Sequence, residues 1–501
     1  MMHYNSKRFL SVILAVAAVS ITACNSKSKN KTDPIPDPNP PQTPIDNVPA
    51  TNGLWHSQAY GMVLDVKSDA HQFYQITNEY CQTADYSFDS SALIDSISLT
   101  DSEDSMEITF AGLKVPGVVM QRIKDLPDQC LTDIVANDGE DSYVFDAQRD
   151  FEIFWANFNE YYAFFHLEGI DWDETYQWAN DQINDNTTEA ELFEILAKMI
   201  EPLKDFHVSL ENIELDEHFS VDRKPTLDDI ALVDFIAINQ IHPPFSDEQI
   251  EAFEEYLQEA EDTSFTIIQS YFDEESEIKI NDSDTIAWTM LNDNIGYINI
   301  ATMDIVSIGV EGNTVQENRV ILSSVLDRIV EDLKDTAGII IDIRYNEGGD
   351  DLVGQMFAER FFPERTQVYS KQARLLDERT PLQTVFVTPV GETILDKPTA
   401  ILTSSSTSSA AESFALSMRE HDKSILVGEA TAGGLSDTLP KSLPHGTIYS
   451  ISNEFYLSVD GISYEGLGIP VGIEQAFFTR DQLEGGVDLG LEKAHEWILA
   501  Q

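Results

Sequence analysis

Apolar residues change their spacing along the chain, and the changes separate regions of different secondary structure. Residues 53–145 contain short runs rich in β-branched and aromatic residues, separated by Ser, Asp and Gly turns. Such runs predict strands, and we expect a small antiparallel β domain here. In residues 146–212 apolar side chains instead recur at helical spacing. The runs that carry these two patterns are YGMVLDV, HQFYQITNEYC, SMEITFAG and GVVMQRI for strands, and Phe151 to Phe165 and Leu192 to Leu203 for two helices.

The second half of the chain has a different pattern. Residues 213–285 form an acidic insert in which SDEQIEAFEEYLQEAED predicts a surface helix. Residues 286–501 alternate strands and helices, beginning with one strand, IAWTMLNDNIGYINIAT, and a helix near 314–334. Later strands, such as GIIID, are apolar throughout, which indicates burial on both faces. This alternation predicts an α/β fold with a largely parallel sheet covered on both sides.

The amino terminus predicts export. Lys7 and Arg8 precede an apolar run, Phe9 to Ala23, that is too short for a comfortable membrane span and has the layout of a signal peptide, residues 1–23. The run ends Ile-Thr-Ala-Cys, which resembles a bacterial lipobox with Cys24 as the lipidated residue; an ordinary signal peptide is the alternative. Residues 24–50 are rich in Pro and Asn and predict a disordered tether. We therefore expect a lipid-anchored protein of the cell envelope, on the periplasmic face of the outer membrane, whose only membrane contact is the anchor.

Charge and cysteine content restrict the possible classes of function and the compartment further. The formal net charge of −58 repels phosphate backbones and argues against nucleic-acid binding. It indicates a strongly solvated surface or, alternatively, an acidic surface for cationic substrates. With Cys24 lipidated, Cys81 and Cys130 remain as a disulfide pair in an oxidising compartment, or as two buried thiols. No metal-ligand spacing or phosphate-binding loop is present, so no cofactor is predicted.

One serine stands at a position that suits nucleophilic chemistry. In AILTSSSTSSAAESFALSMRE an apolar strand runs into a Ser/Thr-rich turn, and Ser409 lies where the turn enters a helix. The free N–H groups of a helix's first turn can stabilise an oxyanion beside such a hydroxyl. A serine here can equally be a plain helix cap, so the residue alone does not decide.

Three stretches together resemble the family of C-terminal processing (tail-specific) and tricorn-type serine peptidases. They are GIIIDIRYNEGGDD, TSSAAES, and SILVGEATAGG with ISYEGLGIPVGIE, in that order. FEIFWANFNEYYAFF to LKDFHVSL is similar to the helical segment before the core in the tricorn-type branch. The resemblance implies a Clp-protease/crotonase-like core preceded by a helical segment and the β domain. It also implies Ser409 as nucleophile, with oxyanion N–H groups from Ala410 and from the Gly348-Gly349 turn, unless those glycines form a simple strand–helix turn.

The resemblance also selects the base. Tail-specific members carry a lysine twenty-five residues after the serine, where this chain has Gly434, and Lys441 lies out of phase. Tricorn-type members use a histidine before the core, which corresponds to His207, and a carboxylate that corresponds to Glu465. A neutral imidazole is a suitable proton acceptor for a serine hydroxyl, although a structural histidine is the alternative. Phe206 replaces the polar neighbour of the family's histidine, so the orientation of His207 is open.

These observations predict an exported serine endopeptidase that cleaves peptides or unfolded proteins through an acyl-enzyme. Its partners would be peptide or protein substrates; the sequence does not predict an oligomeric state. Two alternatives stay open: a non-catalytic carrier of peptides or lipophilic ligands on the same fold, and an esterase for small substrates.

Overall fold

The computed structural model describes residues 51–67, 71–84, 94–100, 102, 104–110, 115–221 and 226–501. The predicted signal peptide, the tether and Cys24 lie outside these residues. No helix in the described ranges combines the length and apolar character needed to cross a membrane.

The first region forms one antiparallel sheet, as the strand pattern predicted. Its spatial order is β4-β3-β2-β1-β7-β6-β5. A disulfide joins Cys81 at the start of β4 to Cys130 in a short helix, α1 (Asp128–Thr132). The strands are β1 (Gly53–Ser57), β2 (Met62–Val66), β3 (His71–Ile76), β4 (Cys81–Ala84), β5 (Ile94–Leu99), β6 (Ser105–Phe110) and β7 (Val118–Ile123).

Four helices follow: α2 (Ala147–Tyr161), α3 (Phe165–Glu168), α4 (Trp172–Asn180) and α5 (Glu189–Ile200). The aromatic stripe is buried as its spacing predicts, with Phe151, Phe154 and Phe158 fully enclosed. The prediction that a single helix extends through all of these aromatic residues to Phe165 is wrong. Helix α2 ends at Tyr161, because Tyr162 is extended and the next N–H, of Ala163, donates to Ser452 O at 2.9 Å.

The helical segment is joined to the core through a shared sheet. Strands β8 (Ser209–Asn212) and β9 (Glu217–Ser220) pair with β20 (Ile448–Ser452) and β19 (Thr438–Ser442) in the order β19-β20-β8-β9. The antiparallel β8–β20 ladder places Leu210 opposite Tyr449. The segment around His207 therefore enters the core directly ahead of β8.

The core contains a seven-stranded sheet in the order β10-β11-β12-β13-β17-β18-β22. From β12 to β22 neighbouring strands are parallel, while β10 and β11 run antiparallel at one edge. The predicted single strand from residue 286 is wrong: Asp293 and Asn294 adopt φ of 60° and 59°, and fold it into a hairpin. The strands are β10 (Lys279–Ile280), β11 (Ile286–Leu291), β12 (Ile295–Ile300), β13 (Gly338–Asp342), β17 (Thr399–Thr403), β18 (Ser424–Gly428) and β22 (Ile473–Glu474).

Helices cover both faces of this sheet, as expected for buried parallel strands. One face packs on α9, α10 and α11 and the other on α7 and α13. A smaller sheet holds β14 (Thr366–Leu375), β15 (Glu378–Arg379), β16 (Gln383–Val387) and β21 (Glu454–Ser458). The helices are α6 (Leu227–Asn239), α7 (Asp247–Gln269), α8 (Ile305–Ile308), α9 (Val315–Leu333), α10 (Asp351–Ala358), α11 (Ala410–Met418), α12 (Arg480–Gly485) and α13 (Leu489–Leu499).

Candidate active site

Ser409 occupies a strained position between β17 and α11. Strand β17 is buried throughout, and the turn after it brings Ser409 to the residue before the helix, partly exposed. Its backbone has φ 54° and ψ −125°, a conformation that a side chain with a Cβ rarely adopts. Such backbone strain concentrates at functional sites, because the surrounding structure must enforce it.

The turn is held by neighbouring backbone. Thr407 Oγ1 donates to Ile343 O at 2.9 Å, and Ser408 Oγ donates to Glu347 O at 2.9 Å. Both acceptors belong to the loop after β13, since the carboxyl ends of neighbouring parallel strands lie at one edge of the sheet. The strand order therefore brings two of the predicted motifs together.

Gly348 and Gly349 lie against the nucleophile turn and its neighbours. A Cβ on Gly348 would lie 2.6 Å from Ser409 Cβ, and one on Gly349 would lie 2.2 Å from Asp304 N, so neither position has room for a side chain. The N–H of Gly348 donates to Asn346 Oδ1 at 2.9 Å. In the described part of the chain, no protein acceptor receives the N–H of Gly349 or that of Ala410. Of the predicted oxyanion donors, these two have free hydrogens.

Glu412 connects the first turn of α11 to the turn formed by residues 431–436. Its carboxylate accepts from the N–H groups of Ser409 (3.2 Å), Gly433 (2.7 Å) and Gly434 (2.8 Å), and from Thr431 Oγ1. The side chain is fully enclosed, and burial raises the pKa of this carboxyl despite those donors. Glu412 thus supports the nucleophile's backbone from the interior.

His207 reaches the same turn from the helical segment. Its N–H donates to Asp205 Oδ1 at 3.0 Å, and its carbonyl accepts from Ser450 Oγ on β20. The neighbouring ring of Phe206 lies against Gly434, and the Gly434 carbonyl accepts from Ser409 N at 3.2 Å. The base segment and the nucleophile turn therefore meet at one glycine.

Glu465 is bound to the next two residues of that turn. Its Oε2 accepts from the N–H groups of Leu435 and Ser436, both at 2.9 Å. Burial raises the pKa of Glu465 well above its ordinary value, and the nearby carboxylates of Asp205 and Glu412 raise it further. Glu465 is therefore close to Asp205, the carboxylate that also holds the His207 main chain.

The residues with predicted catalytic roles thus gather around residues 431–436, which the sequence did not single out for a role. Ser450 was missed as well, because polar residues on a strand are common. The Gly433-Gly434 pair was the available signal, since adjacent glycines indicate close backbone approach.

Two buried lysines bind groups other than the nucleophile Ser409. Burial lowers the pKa of Lys441 to about 7, a range that would suit a lysine base. Its Nζ, however, donates to the carbonyls of Tyr60 (2.8 Å) and Gly61 (3.0 Å) at the base of the β domain. Lys371 Nζ lies 3.2 Å from Glu454 and 3.9 Å from Asp351. In the part of the chain that the structure describes, no cluster of side chains could hold a metal ion.

Fold and site together resemble those of the serine-type peptidases. The family model of Peptidase family S41 matches residues 294–474, and that of the Tricorn protease C1 domain matches residues 146–201. Residues 294–474 are therefore similar to this peptidase family, and the resemblance to the C-terminal processing and tricorn-type peptidases is confirmed. The matched helical region ends six positions before His207 (207 − 201).

Individual relatives agree with this class. A carboxyl-terminal-processing protease of Synechocystis sp. is 36% identical over 103 residues, which are 20% of this chain and 22% of that protein. This chain thus spans about a fifth of the length of that relative. A candidate peptidase from Parabacteroides merdae has a similar fold, with a TM-score of 0.52 at 23% identity, over 71% of this chain and 98% of that chain. The tricorn protease structure gives a TM-score of 0.40 at 12% identity, over 88% of this chain and 43% of that chain, and no argument rests on it.

Proposed function

We propose that this chain is an exported serine endopeptidase that cleaves peptides or unfolded proteins through an acyl-enzyme. Ser409 Oγ attacks the peptide carbonyl while His207 takes its proton, and His207 then returns that proton to the leaving amine. The N–H groups of Ala410 and Gly349 receive the developing oxyanion. Glu465, with Asp205 beside it, supports the base through the network around residues 431–436. Water then repeats the sequence on the ester and releases the acid.

The observation that carries this proposal is the backbone of Ser409. A plain helix cap needs only an extended conformation, whereas Ser409 is held at φ 54° and ψ −125°. Gly348 leaves room at its Cβ, and Glu412 receives its N–H. Ser409 is also the N-cap of α11 and forms a capping box with Glu412, but capping alone does not require this strained conformation beside unused amide hydrogens, and that strain supports a hydroxyl presented for attack.

A fluorophosphonate probe tests the proposal directly, because it reacts only with an activated serine. We expect labelling of the wild-type protein and none of Ser409→Ala. Ser417→Ala is the matched control, since Ser417 Oγ donates to Ser413 O at 2.8 Å within helix α11 and takes no part in the nucleophile turn. Absence of labelling in the folded wild type would refute catalysis and favour the carrier. Turnover of small esters without digestion of casein would instead favour an esterase.

Export and anchoring are part of the proposal. The signal layout of residues 1–23 and the lipobox-like end at Cys24 support a lipoprotein of the cell envelope. Metabolic labelling with a fatty acid should mark the wild-type chain and not Cys24→Ser. A wild-type chain that is exported without acquiring lipid would refute the anchor alone.

A further inference from the structure

The ring of Phe206 contacts both the residue proposed as the base and the turn that binds the nucleophile's backbone. Its centroid is 4.5 Å from that of the His207 ring. A Cβ added to Gly434 would lie 2.2 Å from ring atoms Cε1 and Cζ of Phe206. Gly434 in turn accepts from Ser409 N at 3.2 Å. One aromatic ring thus contacts both the imidazole and the peptide to which the nucleophile's backbone is bonded.

Two hydrogen bonds hold the main chain of His207. Asp205 receives its N–H and Ser450 donates to its carbonyl, which holds the segment on β20. These bonds do not determine how far the imidazole lies from Ser409. The ring of Phe206 contacts both His207 and Gly434, so its packing contributes to that separation.

From this packing we propose that Phe206 is the positioning residue that fixes His207 against the nucleophile turn. The inference rests on the proposed function and explains two departures from the family pattern together. Phe206 stands where tricorn-type relatives place a polar neighbour, and Gly434 stands where tail-specific relatives place their lysine. Any side chain at 434 would collide with the ring, so the aromatic residue and the glycine form a matched pair. Packing, rather than a hydrogen bond from residue 206, orients the base.

A double-mutant cycle on the rate of fluorophosphonate labelling tests the pair. We expect Phe206→Ala to slow labelling about a hundredfold, the cost of a small misplacement of a catalytic group. Gly434→Ala should slow it to a similar extent, because its new methyl group would displace the ring. In the double variant the second change should add little, because the alanine at 206 leaves room for the new methyl. Additive losses, or labelling of Phe206→Ala at the wild-type rate, would overturn the proposal.

A general loss of packing must be separated from misplacement of the base. Phe272→Ala, at the antiparallel edge of the core sheet, also removes an aromatic ring, which packs on Tyr297 and the hydrophobic core there. It should lower the melting temperature while labelling proceeds at the wild-type rate. Phe206→Leu, which keeps apolar bulk, should recover part of the rate lost in Phe206→Ala.

A readout independent of activity uses the imidazole itself. The His207 Hε1 NMR signal, assigned with His207→Gln, should shift in Phe206→Ala, because the ring current of a neighbouring aromatic is lost. If the wild-type protein is not labelled by the probe, the proposed function fails and this signal alone decides the positioning. An unchanged Hε1 signal in Phe206→Ala would refute it.

Discussion

Lys441 is a buried cation whose protonation should make the stability of the protein depend on pH. Its side chain is 2% exposed, and its ammonium donates to Tyr60 O and Gly61 O where the β domain meets the core. Burial lowers its pKa from 10.5 to about 7, although the carboxylate of Glu160 acts in the opposite direction. Folding therefore places an ionisable amine where its charged form is disfavoured.

The sign and size of the effect follow from proton linkage. Between pH 7 and 10.5 the unfolded chain keeps a proton on Lys441 that the folded chain has largely lost. The free energy of unfolding therefore rises with pH across this window. With pKa values of about 7 and 10.5, this one group raises it by about 2 kcal/mol between pH 7 and pH 9.

Urea unfolding of the wild type and of Lys441→Met at pH 7 and pH 9 measures the contribution of Lys441 to the free energy of unfolding. Other groups titrate alike in both proteins, so the wild type should gain about 2 kcal/mol more than the variant. Lys198→Met removes an exposed lysine, 60% accessible, and should retain the wild-type pH dependence. Equal pH dependence in wild type and Lys441→Met would refute the reasoning.

Three further predictions concern other parts of the fold. Arg344→Met removes the cation that pairs with the buried carboxylates of Asp342 and Asp488, and should lower the free energy of unfolding by about 3–5 kcal/mol in urea titrations. A loss below about 1 kcal/mol would contradict the prediction. Gly348→Ala should abolish fluorophosphonate labelling, because its Cβ would lie 2.6 Å from Ser409 Cβ. Gly446→Ala is the control: its φ is also positive, but the space around it is open, so this variant should label normally. Equal labelling of the two variants would refute the steric argument. Replacing Cys81 and Cys130 by Ser opens a loop of 49 residues and should cost about 2–4 kcal/mol in the same titrations, a prediction refuted if dithiothreitol leaves the wild-type midpoint unchanged.

The architecture of the core could be predicted because its local signals agree. The apolar strand Gly338–Asp342 and the amphipathic helix Val315–Leu333 each bury the residues that their pattern selects. The predicted ends of helices and strands were wrong where the chain turns for reasons that the apolar pattern does not contain. The hairpin at Asp293 depends on positive backbone angles, and the end of α2 depends on a hydrogen bond from Ala163 to the distant Ser452.

The site could be predicted less completely, because much of it is made of contacts without a local signature. Ser409 and Glu465 lie in recognisable motifs. The turn at 431–436, which binds the carboxylates of Glu412 and Glu465, is a short glycine-containing loop without such a motif. Phe206 differs from its family position, and its partner Gly434 is 228 positions away (434 − 206). Only the folded chain brings the ring of Phe206 against Gly434.

The candidate base and the nucleophile belong to parts of the chain that meet through one ladder. The S41 match begins at residue 294, after His207, so the matched domain by itself lacks the imidazole. The segment that carries His207 is held on the core because β8 pairs with β20, and because Ser450 on that strand binds the His207 carbonyl. The aromatic residues of α2 share one hydrophobic core with Leu439 and Tyr449, so docking of the helical segment and pairing of β8 are coupled. The chemistry proposed for Ser409 is therefore a property of the whole assembly of helical segment and core, and a change that loosens this docking removes the base without touching the nucleophile.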